Sequence, residues 1–195
     1  MKRVLLLGDS IRMGYQAYVR EQLAGEYEVV YDEMDNGRFA AYTLWHATQM
    51  FRRFGSFDLV HWNNGYWDMN TEAPMPGPLH PLEEYLHYLR RIIGLVRETG
   101  AKLIFATTTP ILDRDKPGYR ADTAFPIGYD NAWVAQYNDA AKLLMAQERV
   151  PVNDLYSLCM QDPECYKCPD MLHLTEAGYR ACAAQVADHV RRLLG

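Results

Sequence analysis

Short apolar runs alternate with longer amphipathic segments along this chain, and the alternation restricts the possible folds more than any other feature. Buried strands of a parallel sheet are short and continuously apolar, whereas helices that pack on a sheet carry apolar residues at a period of about 3.6. The apolar runs predict strands at residues 4–7, 27–31, 59–62, 103–106 and 150–152. The amphipathic segments predict helices at residues 13–23, 40–54, 81–98, 131–147 and 176–194.

Strands that alternate with helices in this way form a parallel sheet with right-handed crossovers and helices on both faces. We therefore predict an α/β fold, a three-layer α/β/α sandwich around a five-stranded parallel sheet. The 195 residues suit one core and are few for two, so residues 1–195 are predicted to form a single domain.

Ligands bind such sheets at the carboxyl ends of the strands, where the strand order reverses. Two connections, residues 64–80 and 107–130, are long and contain glycine and proline. Loops of this length in a compact domain are typical of binding-site walls. Thr175 is predicted to cap the last helix at its start, and Gly100 to end the third helix.

The charge pattern excludes some classes of partner. The formal net charge is −5, and lysine and arginine are not gathered into a run, so the sequence lacks the clustered positive charge that nucleic-acid binding needs. The apolar stretch after Lys2 and Arg3 ends at Gly8, which is too short for a signal peptide or a membrane span. We predict a cytoplasmic protein with no nucleic-acid or membrane partner; the sequence does not indicate an oligomeric state.

Three residues have the chemistry of acyl transfer. Ser10 directly follows the first predicted strand, and Asp170 and His173 lie close together near the other end of the chain. A serine hydroxyl becomes a useful nucleophile when a histidine takes its proton and a carboxylate orients that histidine. At the start of a helix, Ser10 would also offer a backbone N–H to the developing oxyanion. A serine that merely caps the helix is the alternative.

The surrounding residues resemble a known family. Gly-Asp-Ser at 8–10 and Cys-Pro-Asp-Met-Leu-His-Leu-Thr-Glu-Ala-Gly-Tyr at 168–179 are similar to the first and last motif blocks of the SGNH, or GDSL-type, hydrolases. The resemblance implies a flavodoxin-like sheet. It also implies a serine esterase that works through an acyl-enzyme, with Ser10, His173 and Asp170 as the catalytic triad and without metal or cofactor.

The same resemblance implies a second oxyanion donor. The turn at residues 35–38, Asp-Asn-Gly-Arg, matches the family's second block by position, and its Gly37 would supply a backbone N–H. Glycine permits the close backbone approach that such a contact needs. An ordinary Asn-Gly turn is the alternative explanation for these residues.

The third block departs from the family's Gly-x-Asn-Asp pattern. Residues 65–68 read Gly-Tyr-Trp-Asp, so Trp67 stands where the family has the asparagine that donates to the oxyanion. Asn63 and Asn64 come just before, and strand alternation lets only one of them face the site. We favour Asn64 because it is nearer the strand end, with Asn63 or Trp67 as substitutes. Alternatively, both asparagines only satisfy backbone groups.

The substrate is expected to be a small-molecule acyl ester. Arg12, Arg38 and Trp67 are close in sequence to the predicted site residues, and we expect them near the acyl or alcohol pocket. Nothing indicates a wide groove for a long acyl chain. The four tryptophans and 14 tyrosines would suit a sugar ring, which makes the O-acetyl group of a carbohydrate a candidate, although most aromatic residues belong to cores.

The cysteines do not match a common zinc pattern. Cys159, Cys165 and Cys168 cluster before His173, but their spacing fits no familiar set of ligands, so we predict no metal. Reduced thiols are the expectation, and a local disulfide is the alternative. Cys182 is expected to be a small core residue.

Other functions fit parts of the pattern. A non-catalytic or acyl-transferring protein of the same fold would bind an acylated or sugar ligand, although the intact set of Ser10, Asp170 and His173 argues against a pure binder. A phosphate-binding or receiver-type domain would need a glycine-rich phosphate loop or a suitably placed acidic pair after the first strand, and the sequence lacks both. An α/β-hydrolase would need Gly-x-Ser-x-Gly around its serine, and Ser10 is not in such a motif.

Overall fold

The computed structural model describes residues 1–72, 74–112, 124, 126–166 and 168–195. Its strands are β1 (Lys2–Leu7), β2 (Tyr27–Val30), β3 (Leu59–Asn63), β4 (Thr71–Glu72), β5 (Lys102–Ala106), β6 (Ile127–Gly128) and β7 (Val152–Asn153). Its helices are α1 (Ser10–Gln22), α2 (Ala40–Phe54), α3 (Tyr66–Met69), α4 (Leu82–Glu98), α5 (Asn131–Gln147), α6 (Leu155–Cys159), α7 (Pro163–Tyr166) and α8 (Glu176–Leu194).

Five strands form one parallel sheet in the order β2-β1-β3-β5-β7. Leu5 in β1 pairs with Val30 on one side and with Val60 on the other. The strand order reverses between β1 and β3, so the carboxyl ends of these two strands form the edge at which such sheets bind ligands. The predicted α/β fold with a five-stranded parallel sheet is confirmed.

Helices cover the sheet in two groups. α1 packs along α8, whereas α2 packs along α4 and α4 contacts α5. The core face of α4 is a single apolar stripe because its buried residues recur at the helical period. They are Tyr85, Leu89, Ile92, Ile93 and Val96. Residues 4–7 of β1 have no exposed surface, as expected for a parallel strand covered on both faces.

Caps and closing hydrogen bonds set the ends of several elements. Asp9 Oδ1 accepts from the Ile11 N–H, so α1 begins at residue 10 and not at the predicted residue 13. Thr175 caps α8 and Gly100 follows α4 with a φ of 79°, as predicted. β7 begins later than predicted because the Val150 N–H closes the end of α5.

The two long connections meet in a small ribbon. Residues 64–80 include α3 and β4, and β4 pairs antiparallel with β6, which belongs to the second connection. In that second connection, residues 113–123 and 125 lie outside the described part of the chain. No helix in the described ranges is both long enough and apolar enough to cross a lipid bilayer.

Candidate active site

The turn between β1 and α1 presents Ser10 at the switch point of the sheet. Gly8 in this turn has a φ of 144°, and a Cβ there would lie 2.0 Å from Asn63 Oδ1, so the turn requires glycine. Because Asp9 caps the helix, the Ser10 hydroxyl is not used as a cap. No backbone hydrogen bond between described residues uses the Ser10 N–H. Ser10 therefore offers a hydroxyl and an N–H at the positive end of α1.

The imidazole of His173 connects Ser10 to Asp170. Its Nε2 lies 2.9 Å from Ser10 Oγ, and its Nδ1 lies 2.6 Å from Asp170 Oδ2. An ionised carboxylate can only accept, so Nδ1 carries the proton and Nε2 accepts from the serine hydroxyl. The structure thus brings together the three side chains that the sequence placed far apart.

Asp170 is held in its ionised form. Partial burial acts to raise the pKa of this carboxyl, but hydrogen bonds from the His173 ring and backbone and from the Leu172 N–H outweigh it, so the pKa lies below its ordinary value. The two backbone bonds reach Oδ1 at 2.9 and 3.0 Å and leave Oδ2 for the imidazole. The carboxylate is therefore both charged and oriented.

Backbone contacts fix the loop that carries this pair. The Leu112 N–H donates to Met171 O at 2.8 Å, and the Cys168 N–H donates to His173 O at 2.9 Å. Gly14 allows α1 and α8 to pack closely behind this loop, because a Cβ on Gly14 would lie 2.1 Å from ring carbons of Tyr179 in α8. Sequence reasoning missed Gly14, although a glycine inside a predicted helix is a signal of close packing.

The structure corrects the prediction for Gly37. Its N–H donates to Gly8 O at 2.8 Å, and a Cβ on Gly37 would lie 2.5 Å from the same oxygen. Asn36 Oδ1 accepts from the Arg38 N–H at 2.9 Å, which is the side-chain contact of an ordinary Asn-Gly turn. The predicted oxyanion contact is therefore wrong in this geometry, and the glycine serves the approach of two backbone segments.

The prediction for Asn64 is also wrong. Its amide nitrogen donates to Thr43 Oγ1 at 2.8 Å and to Arg38 O at 3.1 Å, and the side chain is fully buried. An amide has two N–H donors, and both are used. Asn64 therefore holds the start of α2 and the preceding turn together instead of facing a substrate.

The remaining predicted residues have different surroundings. The amide of Asn63 lies beside the carboxylate of Asp9, whose pKa is raised by burial against the opposing effects of Ile11 and Asn63. Trp67 is half-buried against the core, and its indole N–H has no acceptor within the described ranges. Arg38 is half-exposed. For Arg38 and Trp67, a contact with substrate stays a prediction.

Arg12 is not a substrate-binding residue, contrary to the prediction. Its side chain is fully buried, and it donates to Gly8 O at 3.2 Å, to Asp32 O at 2.8 Å, and to Asp35 O and Gln16 Oε1. These acceptors occupy the guanidinium. Arg12 therefore ties the serine turn to the loop after β2.

Sequence reasoning missed a second carboxylate–imidazole pair. His80 Nδ1 lies 2.8 Å from Asp68 Oδ1, and the Asp68 side chain is fully buried. The two residues are 12 positions apart in the first long connection, without a local motif. The length of that connection was the only signal.

The structure describes the side chains of three of the four cysteines. Cys159 and Cys182 are buried in the core with their sulfur atoms 4.0 Å apart, and Cys168 Sγ lies 3.0 Å from Leu174 O. The side chain of Cys165 lies outside what the structure describes. Across the described ranges, no group of three or more His, Cys, Asp or Glu side chains is arranged to hold a metal ion.

Similar proteins are found by family model and by fold. The model of the GDSL-like lipase/acylhydrolase family matches residues 6–181, whereas a search among curated proteins gives no significant match. A lipase/acylhydrolase from Enterococcus faecalis is similar with a TM-score of 0.78 and 18% identity, over 99% of this chain and 97% of that one. A GDSL-like lipase from Bacteroides thetaiotaomicron has a TM-score of 0.73 and 18% identity, over 98% and 89%.

An acetyl xylan esterase is similar with a TM-score of 0.71 and 17% identity, over 96% of this chain and 99% of that one. These identities are low, so the neighbours establish the fold. The family model covers most of the sequence, including both the Ser10 turn and the loop of Asp170 and His173. The chain therefore belongs to the GDSL-like lipase/acylhydrolase family and is a carboxylic ester hydrolase.

Proposed function

We propose that this enzyme hydrolyses short-chain acyl esters with Ser10 as nucleophile, His173 as general base and acid, and Asp170 as the group that orients the imidazole. The observation that carries the proposal is the pair of contacts on one ring, 2.9 Å from Nε2 to the serine hydroxyl and 2.6 Å from Nδ1 to the carboxylate. This arrangement activates a hydroxyl at neutral pH.

The first half of the reaction forms the acyl-enzyme. Ser10 Oγ bonds to the carbonyl carbon while its proton moves to His173 Nε2, and the carbonyl electrons move onto the oxygen. The tetrahedral species then collapses, the ester C–O bond breaks, and the departing alcohol takes the proton from Nε2. Asp170 stays ionised throughout and stabilises the imidazolium that forms.

Water completes the cycle by the same route. It gives a proton to His173 Nε2 as its oxygen bonds to the acyl carbon, and Ser10 Oγ leaves and recovers that proton. The products are a carboxylic acid and the original enzyme. The loop contacts at Met171 and His173 keep the imidazole in place for both halves.

The oxyanion needs preorganised donors. The uncommitted Ser10 N–H at the start of α1 is one, and the Trp67 indole N–H is our candidate for a second, since Gly37 and Asn64 are occupied. Trp67→Phe keeps a ring and removes the N–H, so kcat should fall about 100-fold. An unchanged kcat would exclude Trp67 from this role.

For the alcohol, the candidate is an acetylated carbohydrate. One structural neighbour is an acetyl xylan esterase, and the four tryptophans and 14 tyrosines of this chain would suit a sugar ring. Arg38 and Trp67 are the side chains we assign to this pocket. The resulting substrate is a small molecule, and the reaction uses no cofactor.

Hydrolysis rates across nitrophenyl acetate, butyrate and octanoate and across acetylated sugars test the proposal, with Ser10→Ala as the control for each. We expect the acetate or butyrate to be fastest and Ser10→Ala to be inactive on all. Activity that survives in Ser10→Ala would refute the mechanism. Acyl transfer to an added alcohol in preference to water would establish the transferase alternative.

A further inference from the structure

A second Asp–His pair lies away from the triad, and the mechanism does not use it. Asp68 has 0% of its side chain exposed and His80 has 14%. The imidazole Nδ1 contacts Asp68 Oδ1 at 2.8 Å, and the His80 backbone N–H donates to Asp68 O, also at 2.8 Å. One contact joins the side chains and the other joins the backbones, so the two residues are held together at both levels.

The other side of Asp68 faces the start of α2. The Ala40 N–H donates to Oδ1 at 2.9 Å and to Oδ2 at 3.2 Å. Ala40 is the first residue of the helix, and the preceding residue, Phe39, has no side chain able to cap it. Asp68 therefore supplies from a distant part of the chain the acceptor that a helix start requires.

The start of α2 is joined directly to the active site. Residues 37–39 lead into the helix, and the Gly37 N–H donates a hydrogen bond to Gly8 O in the turn that presents Ser10. Thr43 Oγ1 donates to Gly37 O at 2.8 Å. The Phe39 ring also packs edge-on against His80, with centroids 5.0 Å apart. His80 thus contacts both the carboxylate that caps α2 and the residue just before it.

We infer that Asp68 and His80 are positioning residues of this esterase: His80 orients the Asp68 carboxylate, which holds the first turn of α2 and, through residues 37–39, the backbone beside Ser10. This inference rests on the proposed function of Ser10. The pair does not take part in proton transfer, because its carboxylate points to a backbone N–H and its imidazole does not contact the serine.

The energetics favour a specific role over simple packing. Burial raises the pKa of Asp68 against the hydrogen bonds from His80 and Ala40, and the bond to Asp68 raises the pKa of His80. Replacing a buried carboxylate–imidazole pair by apolar residues of the same size is often neutral for stability, whereas the hydrogen bonds of the pair have a defined direction. A pair that holds the start of α2 is therefore expected to act on geometry.

The test uses His80→Phe, which keeps an aromatic ring against Phe39 and removes the N–H that holds Asp68. His80→Asn is the rescue variant, because its amide nitrogen can lie near the former Nδ1. His87→Phe is the matched control, since His87 is an exposed histidine on the neighbouring helix α4. The measurements are kcat and KM on nitrophenyl acetate and the hydrogen-exchange rate of the Ala40 amide.

In His80→Phe, we expect kcat to fall about 10- to 100-fold with KM within about twofold, because small misplacements at a reactive centre cost this much. Exchange of the Ala40 amide should accelerate in the same variant. His80→Asn should restore both quantities most of the way, and His87→Phe should change neither.

The inference is overturned if His80→Phe keeps its kcat, if Ala40 exchange is unchanged, or if a folded His80→Asn is no better than His80→Phe. If His80→Phe does not fold, His80→Asn decides: wild-type exchange at Ala40 with a kcat reduced tenfold or more would refute the link. Failure of the proposed function is distinguishable, because it would show as hydrolysis that persists in Ser10→Ala.

Discussion

The two Asp–His pairs of this enzyme have almost the same contact in very different surroundings. Nδ1 lies 2.6 Å from the carboxylate in the pair of His173 and Asp170, and 2.8 Å in the pair of His80 and Asp68. The first pair sits on a loop with side chains 28% and 36% exposed, whereas the second is 14% and 0% exposed.

The group that each pair contacts next is what separates them. In the exposed pair, the second ring nitrogen of His173 reaches the Ser10 hydroxyl, so the imidazole can move a proton. In the buried pair, it is the carboxylate of Asp68 that reaches a further group, the Ala40 N–H. A carboxylate on one ring nitrogen therefore does not identify a catalytic histidine; the partner of the other nitrogen does.

The largest expected difference between the pairs is in turnover. We expect His173→Ala to lower kcat about 10,000-fold or more, and Asp170→Asn somewhat less, because removal of a triad member leaves only the residual rate of the oxyanion donors and substrate binding. His80→Phe should lose far less. Steady-state kinetics on nitrophenyl acetate, with thermal unfolding as the control for folding, provides the comparison.

A similar loss in His173→Ala and His80→Phe would break this distinction. So would a His173→Ala enzyme that keeps a tenth of the wild-type kcat, since that imidazole would then not be the base.

A third histidine, which contacts no carboxylate among the residues that the structure describes, sharpens the comparison through pH. His61 is fully buried in β3, its Nε2 accepts from Asn153 Nδ2 at 3.1 Å, and burial lowers its pKa to about 3. Between pH 6.5 and 3 the unfolded chain binds a proton that the folded chain does not. The stability contributed by neutral His61 is therefore present above pH 6.5 and is lost as the pH falls.

We expect this loss to be about 1.4 kcal/mol of unfolding free energy per pH unit. Urea unfolding of the wild type and of His61→Gln at several pH values below 6.5 measures it, with the exposed His87→Gln as control. The slope should be shallower in His61→Gln alone. Equal slopes in all three proteins would show that the buried imidazole is not the source.

The position of the exposed pair, His173 and Asp170, also depends on the packing of α1 against α8. Gly14→Ala would place a Cβ 2.1 Å from the Tyr179 ring, so we expect a loss of about 1–2 kcal/mol of stability together with reduced kcat, because α8 begins just after His173. Gly94→Ala is the matched control, since a Cβ there meets open space inside α4. That variant should be neutral or up to about 1 kcal/mol more stable. Equal behaviour of the two variants in urea unfolding would contradict the packing argument.

The smallest expected effect is at the start of α8. Thr175 Oγ1 accepts from the Gly178 N–H at 3.2 Å, so Thr175→Ala should cost about 1 kcal/mol of stability. Its effect on kcat should be within about threefold, because the contacts that orient His173 come from Asp170 and the loop backbone. A loss of kcat larger than threefold in folded Thr175→Ala would show that the cap also positions the imidazole.

Much of this molecule was predictable from local patterns. Apolar runs predicted the five parallel strands, and the order of the Ser10 turn and the loop of Asp170 and His173 predicted their meeting at one edge of the sheet. These predictions succeed because strand periodicity, the position after a strand, and a three-residue spacing are all local properties.

The parts that were missed depend on where distant backbone groups lie. Gly37 and Asn64 have the right residue types for oxyanion donors, but Gly8 O and Thr43 Oγ1 already accept from them. Arg12 is an arginine near the site, but its buried guanidinium donates to backbone carbonyls of the serine turn and of the loop after β2. Asp68 and His80 are 12 positions apart, and the fold of the first long connection brings them into contact.

Labelling with a fluorophosphonate probe, followed by mass spectrometry of the modified peptide, tests the central claim most directly. The account predicts that the wild type carries the label on Ser10, that Ser10→Ala carries none, and that His173→Ala is labelled far more slowly than His80→Phe. A wild-type protein that is not labelled, or that carries the label on another residue, would contradict it.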